Sequence, residues 1–189
     1  MNLSADLARQ LHQAREALLW KLDGLSERDL RLPRTPTGTN LLGLAKHCAL
    51  MEHVYFGASL GRDPGVSVPD HDYDEDPNAD LYAEEDESAA SVVALYRRVG
   101  AYVDATLAEL PLDAPARVAH WGDRGETTLG NLVGHVLGDV CRHAGQADII
   151  RETIDGAAGH AEARAFVNPP ADGWAAHVAR LTAIADRFA

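Results

Sequence analysis

The sequence has few cysteines, few aromatic residues and no long apolar run. Its 189 residues include only Cys48 and Cys141, which cannot form a disulfide framework, so an apolar core must hold the fold. A chain of this length buries roughly 70% of its unfolded surface, and we expect one domain over residues 1–189. No apolar run approaches the about 18 residues of a membrane span, and the first residues do not resemble a signal peptide. We therefore expect a cytoplasmic protein without a membrane partner.

Basic residues are also scarce. The chain has 17 Lys and Arg against 29 Asp and Glu, which gives a formal net charge of −12. A non-specific nucleic-acid binder needs a cationic surface, so we expect no nucleic-acid partner. Ten of the acidic residues lie within residues 70–88, where no basic residue occurs, and without them the rest of the chain carries −2. We interpret this segment as a solvated loop.

Apolar residues recur at intervals of three and four through most of the chain, which is typical of amphipathic helices. The pattern predicts helices over 7–25, 40–60, 88–110, 128–154 and 174–188, and a short extended stretch at 116–120. Runs with the alternating period of a strand do not separate these helices, so a βαβ architecture is excluded. The predicted fold is all-α, a four-helix bundle with a long crossover loop and an extra C-terminal helix.

Three polar residues occur at intervals of four along the longest predicted helix. His135, Asp139 and His143 advance by only about 40° per step, so they project from one broad face. Their apolar neighbours indicate that this face is directed at the core. Two side chains one turn apart can bind one metal ion. The alternative is an Asp–His hydrogen bond that satisfies two buried polar groups.

A fourth candidate lies on the second long helix. His47 follows Leu44 by three residues and precedes Met51 by four, so it lies on an apolar stripe, where a structural histidine is the alternative. With Asp139 and His143 it would supply two nitrogens and one oxygen, a set typical of catalytic metal sites with open positions. We expect a divalent metal, zinc first, with nickel or iron as alternatives. His135 would be a further ligand or an acid or base one turn away.

The motif H-A-G-Q at residues 143–146 resembles the H-x-G-Q signature of the fourth helix in the DinB-like superfamily. Asp139 occupies the position of the second ligand of that helix, and His47 matches the inward histidine of helix two. Residues 18–22, 37–44 and 142–152 are similar to an actinobacterial branch described as a domain of unknown function. The resemblance covers nearly the whole chain.

The resemblance implies a metal-binding bundle, commonly a homodimer, that acts on a small-molecule substrate with a low-molecular-weight thiol. Characterised relatives include mycothiol-dependent maleylpyruvate isomerase and the bacillithiol and mycothiol S-transferases. It therefore implies a thiol S-transferase or thiol-dependent isomerase, in which a metal-activated thiolate attacks an electrophile. One position departs from the family pattern. Asp139 replaces the usual Glu or His and is one methylene shorter than Glu.

The sequence leaves alternative roles open for several residues and for the protein as a whole. Gln146 would hydrogen-bond a ligand or pack against a helix, Arg142 would meet an anionic substrate or remain solvated, and Trp121 would line a pocket or fill the core. The two cysteines do not converge on the proposed ligands, and we interpret both as small buried apolar residues. A non-catalytic metal-binding bundle, acting as a sensor or interaction protein, is the alternative to an enzyme. Non-haem iron chemistry ranks third.

Overall fold

The computed structural model describes residues 2–161 and 170–188, and most of them are helical, which confirms the all-α prediction. Two short strands form one antiparallel hairpin that the sequence indicated only at its first strand. The elements in chain order are α1 (Leu3–Trp20), α2 (Glu27–Arg31), α3 (Leu41–Phe56), α4 (Ala89–Glu109), β1 (Pro115–Arg117), β2 (Glu126–Thr128), α5 (Leu129–Asp155) and α6 (Gly173–Ala185).

Short polar side chains begin the four long helices. In each case the side-chain oxygen accepts a hydrogen bond from a backbone N–H of the first turn, which no helical carbonyl would otherwise satisfy. These residues are Asn2, Asn40, Ser88 and Thr128. At the other end of α5, Gly156 has φ 78°, the left-handed conformation that ends a helix. The sequence predicted the ends of α5 well but placed the end of α1 five residues too late.

Helices α3 and α4 run in the same direction. The hydroxyl of Tyr96 donates to Glu52, and six residues later the hydroxyl of Tyr102 donates to the carbonyl of Phe56, so partners advance together along both helices. Helix α1 packs against α4 and α5, and α3 packs against the same two helices. Parallel neighbours in a bundle need a long connection. Residues 57–88, hereafter the crossover, provide it.

A charged pair lies inside the bundle. Arg15 of α1 donates two hydrogen bonds to Glu52 of α3, with Nη2–Oε2 at 2.7 Å, and their side chains are only 3% and 0% exposed. Burial raises the pKa of Glu52, and Arg15 and Tyr96 oppose that effect. A Cβ atom at Gly100 would lie 2.8 Å from Arg15, so glycine is needed there for the guanidinium to pass. The pair links α1, α3 and α4 at one level.

The crossover differs from the sequence interpretation, which treated its acidic half as solvated. Ala79 and Asp80 are buried. The buried Lys46 of α3 donates to the carbonyl of Ala79 at 3.2 Å and to Glu87 at 2.7 Å. A buried ammonium group needs such partners, so part of the acid run is retained as its counter-charge rather than as a solvated face. The other acidic residues of the segment are mostly exposed.

Helix α6 follows the bundle and corresponds to the predicted extra C-terminal helix. It has no buried residue, and Trp174, Val178, Leu181 and Ile184 along it are exposed. In the described ranges, no helix combines the length and the apolar character needed to cross a membrane.

Replacing Arg15 tests the buried pair. We expect Arg15→Ala to reduce the free energy of unfolding by about 3 kcal/mol, because the carboxylate of Glu52 stays buried without its counter-charge. Urea unfolding followed by circular dichroism measures the change. Arg9→Ala is the matched control, since its partner Asp6 is exposed and such pairs contribute at most about 1 kcal/mol. Equal small losses in both variants would contradict a stabilising role of the buried pair.

Candidate metal centre

Three donor side chains from two facing helices converge in the bundle. His47 lies on α3, and Asp139 and His143 lie one turn apart on α5. The Nε2 atoms of both histidines are 3.5 Å from the carboxylate of Asp139, each facing a different oxygen. One donor atom from each residue lies within 4.8 Å of the other two. Tetrahedral ligands at 2.0–2.1 Å from a zinc ion are about 3.4 Å apart, so the donor set fits a divalent metal.

His47 is oriented by a residue of the crossover. Its Nδ1 donates to Asp80 at 2.7 Å, and the side chain of Asp80 is only 7% exposed. This bond directs Nε2 toward Asp139, as carboxylates commonly do for metal-binding histidines. Asp80 was not predicted from the sequence, because only its neighbours Ala79 and Leu81 distinguish it from the surrounding acidic residues.

His143 is oriented from its own helix. Its Nδ1 donates to Oε1 of Gln146 at 2.7 Å, which leaves Nε2 for Asp139. The imidazoles of His47 and His143 meet edge to face, with ring centroids 4.8 Å apart. The spacing of three residues in the H-A-G-Q motif places the amide of Gln146 beside the imidazole of His143, because residues three apart are neighbours on a helix.

The electrostatics of the centre favour additional positive charge. Burial by itself lowers the pKa of His47, but Asp139 and Asp80 outweigh it and raise the pKa to about 9. His143 and His47 hold the pKa of Asp139 well below its usual range. The protein alone thus keeps an imidazolium between two carboxylates. A divalent cation would take the place of the proton on Nε2 and match the charge of both carboxylates.

A cavity of about 330 Å³ adjoins the centre at His143 and Gln146. Its other walls come from the loop before α3 and from the crossover, and their polar groups are uncharged. They include Thr37, Thr39, Asn40, Asn78 and Tyr82. The cavity can therefore receive a neutral molecule with many hydrogen-bonding groups beside the three donors.

His135 does not join the donor cluster. Its Nε2 is 3.1 Å from the hydroxyl of Tyr55, which is also 3.2 Å from Nε2 of His120. The ring of Trp121 meets the ring of His135 edge to face, with centroids 5.0 Å apart. Its role as an acid or base near the centre stays a prediction. The contact of His120 was not predicted from the sequence, since this residue lies in an irregular segment with no periodicity to indicate its partners.

The structure also shows the surroundings of Arg142 and of the two cysteines. Arg142 is exposed and has no ion-pair partner in the described part of the chain. Cys48 is buried, and burial raises the pKa of its thiol, whereas Cys141 is exposed. The interpretation of both cysteines as buried apolar residues was therefore wrong for Cys141, which faces outward because it is only two residues from the inward His143.

The fold and the donor cluster define a four-helix-bundle protein with a candidate metal centre. The sequence model of the Mycothiol-S-transferase family matches residues 6–156, so the chain belongs to this family of the DinB-like superfamily. The crystal structure of a conserved protein from Enterococcus faecalis has the same fold, with a TM-score of 0.62 and 16% identity over 83% of this chain and 99% of that chain. No curated protein matches the sequence.

Removing the charge of Asp80 tests its effect on His47. We expect Asp80→Asn to weaken zinc binding by about 10- to 100-fold, because the imidazole loses its orienting carboxylate. Competition with a chromophoric chelator measures the affinity. Asp74→Asn, an exposed position in the same segment, is the control and should keep the parent affinity. If both variants bind zinc equally well, Asp80 has no part in the centre.

Proposed function

We propose that the protein is a metal-dependent thiol S-transferase. A divalent metal, with zinc as the first candidate, is held by His47, Asp139 and His143. The cosubstrate is a thiol of the mycothiol type. The observation that carries the proposal is the convergence of these three donors in a chain of the Mycothiol-S-transferase family. Two nitrogens and one oxygen from the protein leave positions for a further ligand, as in catalytic rather than structural zinc sites.

The protein side chains set the geometry for this chemistry. A bound divalent cation favours the thiolate form of a thiol, which is the nucleophile at neutral pH. Asp80 and Gln146 fix the two imidazoles from behind, so the three donors need little rearrangement. Such preorganisation lowers the cost of assembling the reactive arrangement.

The cavity beside His143 supports a thiol with a neutral, hydroxyl-rich body. Its uncharged hydroxyl and amide side chains offer both donors and acceptors to such a molecule. Its position next to the contact between His143 and Gln146 would bring the sulfur to the metal while the body remains in the cavity. We assign the cavity to the thiol cosubstrate.

Alanine variants of the two histidine ligands test the function. We expect stoichiometric zinc in the parent protein and strongly reduced zinc in His47→Ala and His143→Ala, because each variant leaves only two donors. Transfer of mycothiol to iodoacetamide should fall to background in both. Elemental analysis and loss of free thiol are the measurements. The control is His177→Ala, a partly exposed histidine on α6 that is not part of the donor cluster.

The outcomes separate the alternatives. Equal zinc in the parent and in both ligand variants would overturn the proposed centre. Zinc that depends on both histidines, without turnover across several metals, thiols and electrophiles, would overturn the transferase and support a non-catalytic metal-binding bundle.

A further inference from the structure

A second cavity lies beside α5, at residues that precede Asp139 along the helix. It has a volume of about 350 Å³ and is lined by Trp121, Arg124, Asn131 and His135. His135 precedes Asp139 by four residues on α5, a rise of about 6 Å. His135 on the wall of this cavity is therefore one helical turn from Asp139, and along α5 it lies on the opposite side of Asp139 from His143 and Gln146, which line the cavity assigned to the thiol.

A chain of three hydrogen-bonding groups ends in this cavity. The hydroxyl of Tyr55 lies between Nε2 of His120, at 3.2 Å, and Nε2 of His135, at 3.1 Å. A phenol has one proton, so it donates to one imidazole and accepts from the other. Tyr55 is buried, whereas both histidines are exposed. The arrangement connects solvent at His120 to the cavity at His135 through a buried hydroxyl.

The phenol of Tyr55 and the guanidinium of Arg124 provide a proton and a positive charge at this cavity. Burial raises the pKa of Tyr55, and the nearby charge of Asp139 raises it further, so the phenol keeps its proton at neutral pH. In the described ranges, Nδ1 of His135 has no protein partner, which leaves it available to a bound molecule. Arg124 at the same cavity has no carboxylate partner there. A developing negative charge would thus meet a proton donor and a cation.

We propose that this second cavity binds the electrophilic cosubstrate, and that His135, supplied by Tyr55 and His120, protonates the anion formed when sulfur adds to it. The proposal rests on the proposed function and names its substrate class: epoxides and activated alkenes. These electrophiles gain a negative charge as the carbon–sulfur bond forms. Alkyl halides instead release a halide ion that needs no proton, so the relay gives them no advantage.

The step balances for an epoxide. The thiolate forms a bond to one ring carbon, the carbon–oxygen bond breaks, and its electron pair goes to oxygen. The resulting alkoxide takes the proton on Nδ1 of His135, while Nε2 of His135 takes the proton of Tyr55. Tyr55 regains a proton from His120, and His120 regains one from water. The water-borne proton equals the one released when the thiol ionised, and no redox partner is needed.

The selectivity between two electrophiles tests the relay. Zinc-loaded parent, Tyr55→Phe and His135→Gln are assayed with mycothiol and either styrene oxide or iodoacetamide. We expect both substitutions to lower the ratio of the styrene oxide rate to the iodoacetamide rate by at least about tenfold, since a general acid typically contributes 10²- to 10⁴-fold. Tyr102→Phe, which removes a phenol that bonds the Phe56 carbonyl, should keep the parent ratio.

If Tyr55 and His135 had only a structural role, both substitutions would lower the styrene oxide and iodoacetamide rates together and leave their ratio unchanged. That result would overturn the relay. If the parent turns over neither electrophile, the proposed function fails, and the cavity is tested by binding alone. Titration with 2-phenylethanol, followed by the indole NMR resonances, should shift Trp121 and spare Trp20 and Trp174. Shifts confined to the other two tryptophans would overturn the cavity assignment.

Discussion

The parallel direction of α3 and α4 is the constraint on which the site depends. A chain that leaves the end of α3 and enters α4 from the same end as α3 must return along the whole bundle, and the crossover makes that return. The return path passes the level of His47. There Lys46 anchors the crossover through Ala79 and Glu87, and Asp80 reaches the imidazole. The centre is thus built from two helices and the segment that their direction requires.

Two groups of charges inside the bundle are balanced differently. The buried Glu52 bonds to Arg15 and Tyr96. The second carboxylate partner of Arg15, Asp104, is partly exposed to solvent, so the buried charges of this group are equal. At the candidate metal centre, two carboxylates share the single charge of His47. Burying unequal charge is costly unless a counter-ion completes it. The first group therefore serves stability, whereas the second has the electrostatics of a cation site.

Helical periodicity accounts for the part of the centre that was predictable. Asp139 and His143 are one turn apart, and the apolar residues around His47 showed which face of α3 is buried, so three donors were expected to meet. Asp80 was not predictable in this way. Its acidic neighbours indicated solvent, and an irregular segment has no period that shows which of its side chains turns inward. His120 was missed for the same reason.

The amino-acid sequence by itself determined the helices, their caps and the faces they bury, because these depend on residues three or four positions apart. It also carried the H-A-G-Q motif, whose histidine and glutamine meet within one helix. Only the tertiary structure decided that Asp80 rather than another acid supports His47, and that His135 faces Tyr55 rather than the donors. Those choices depend on helix direction and on the path of the crossover, which bring together residues far apart in the chain.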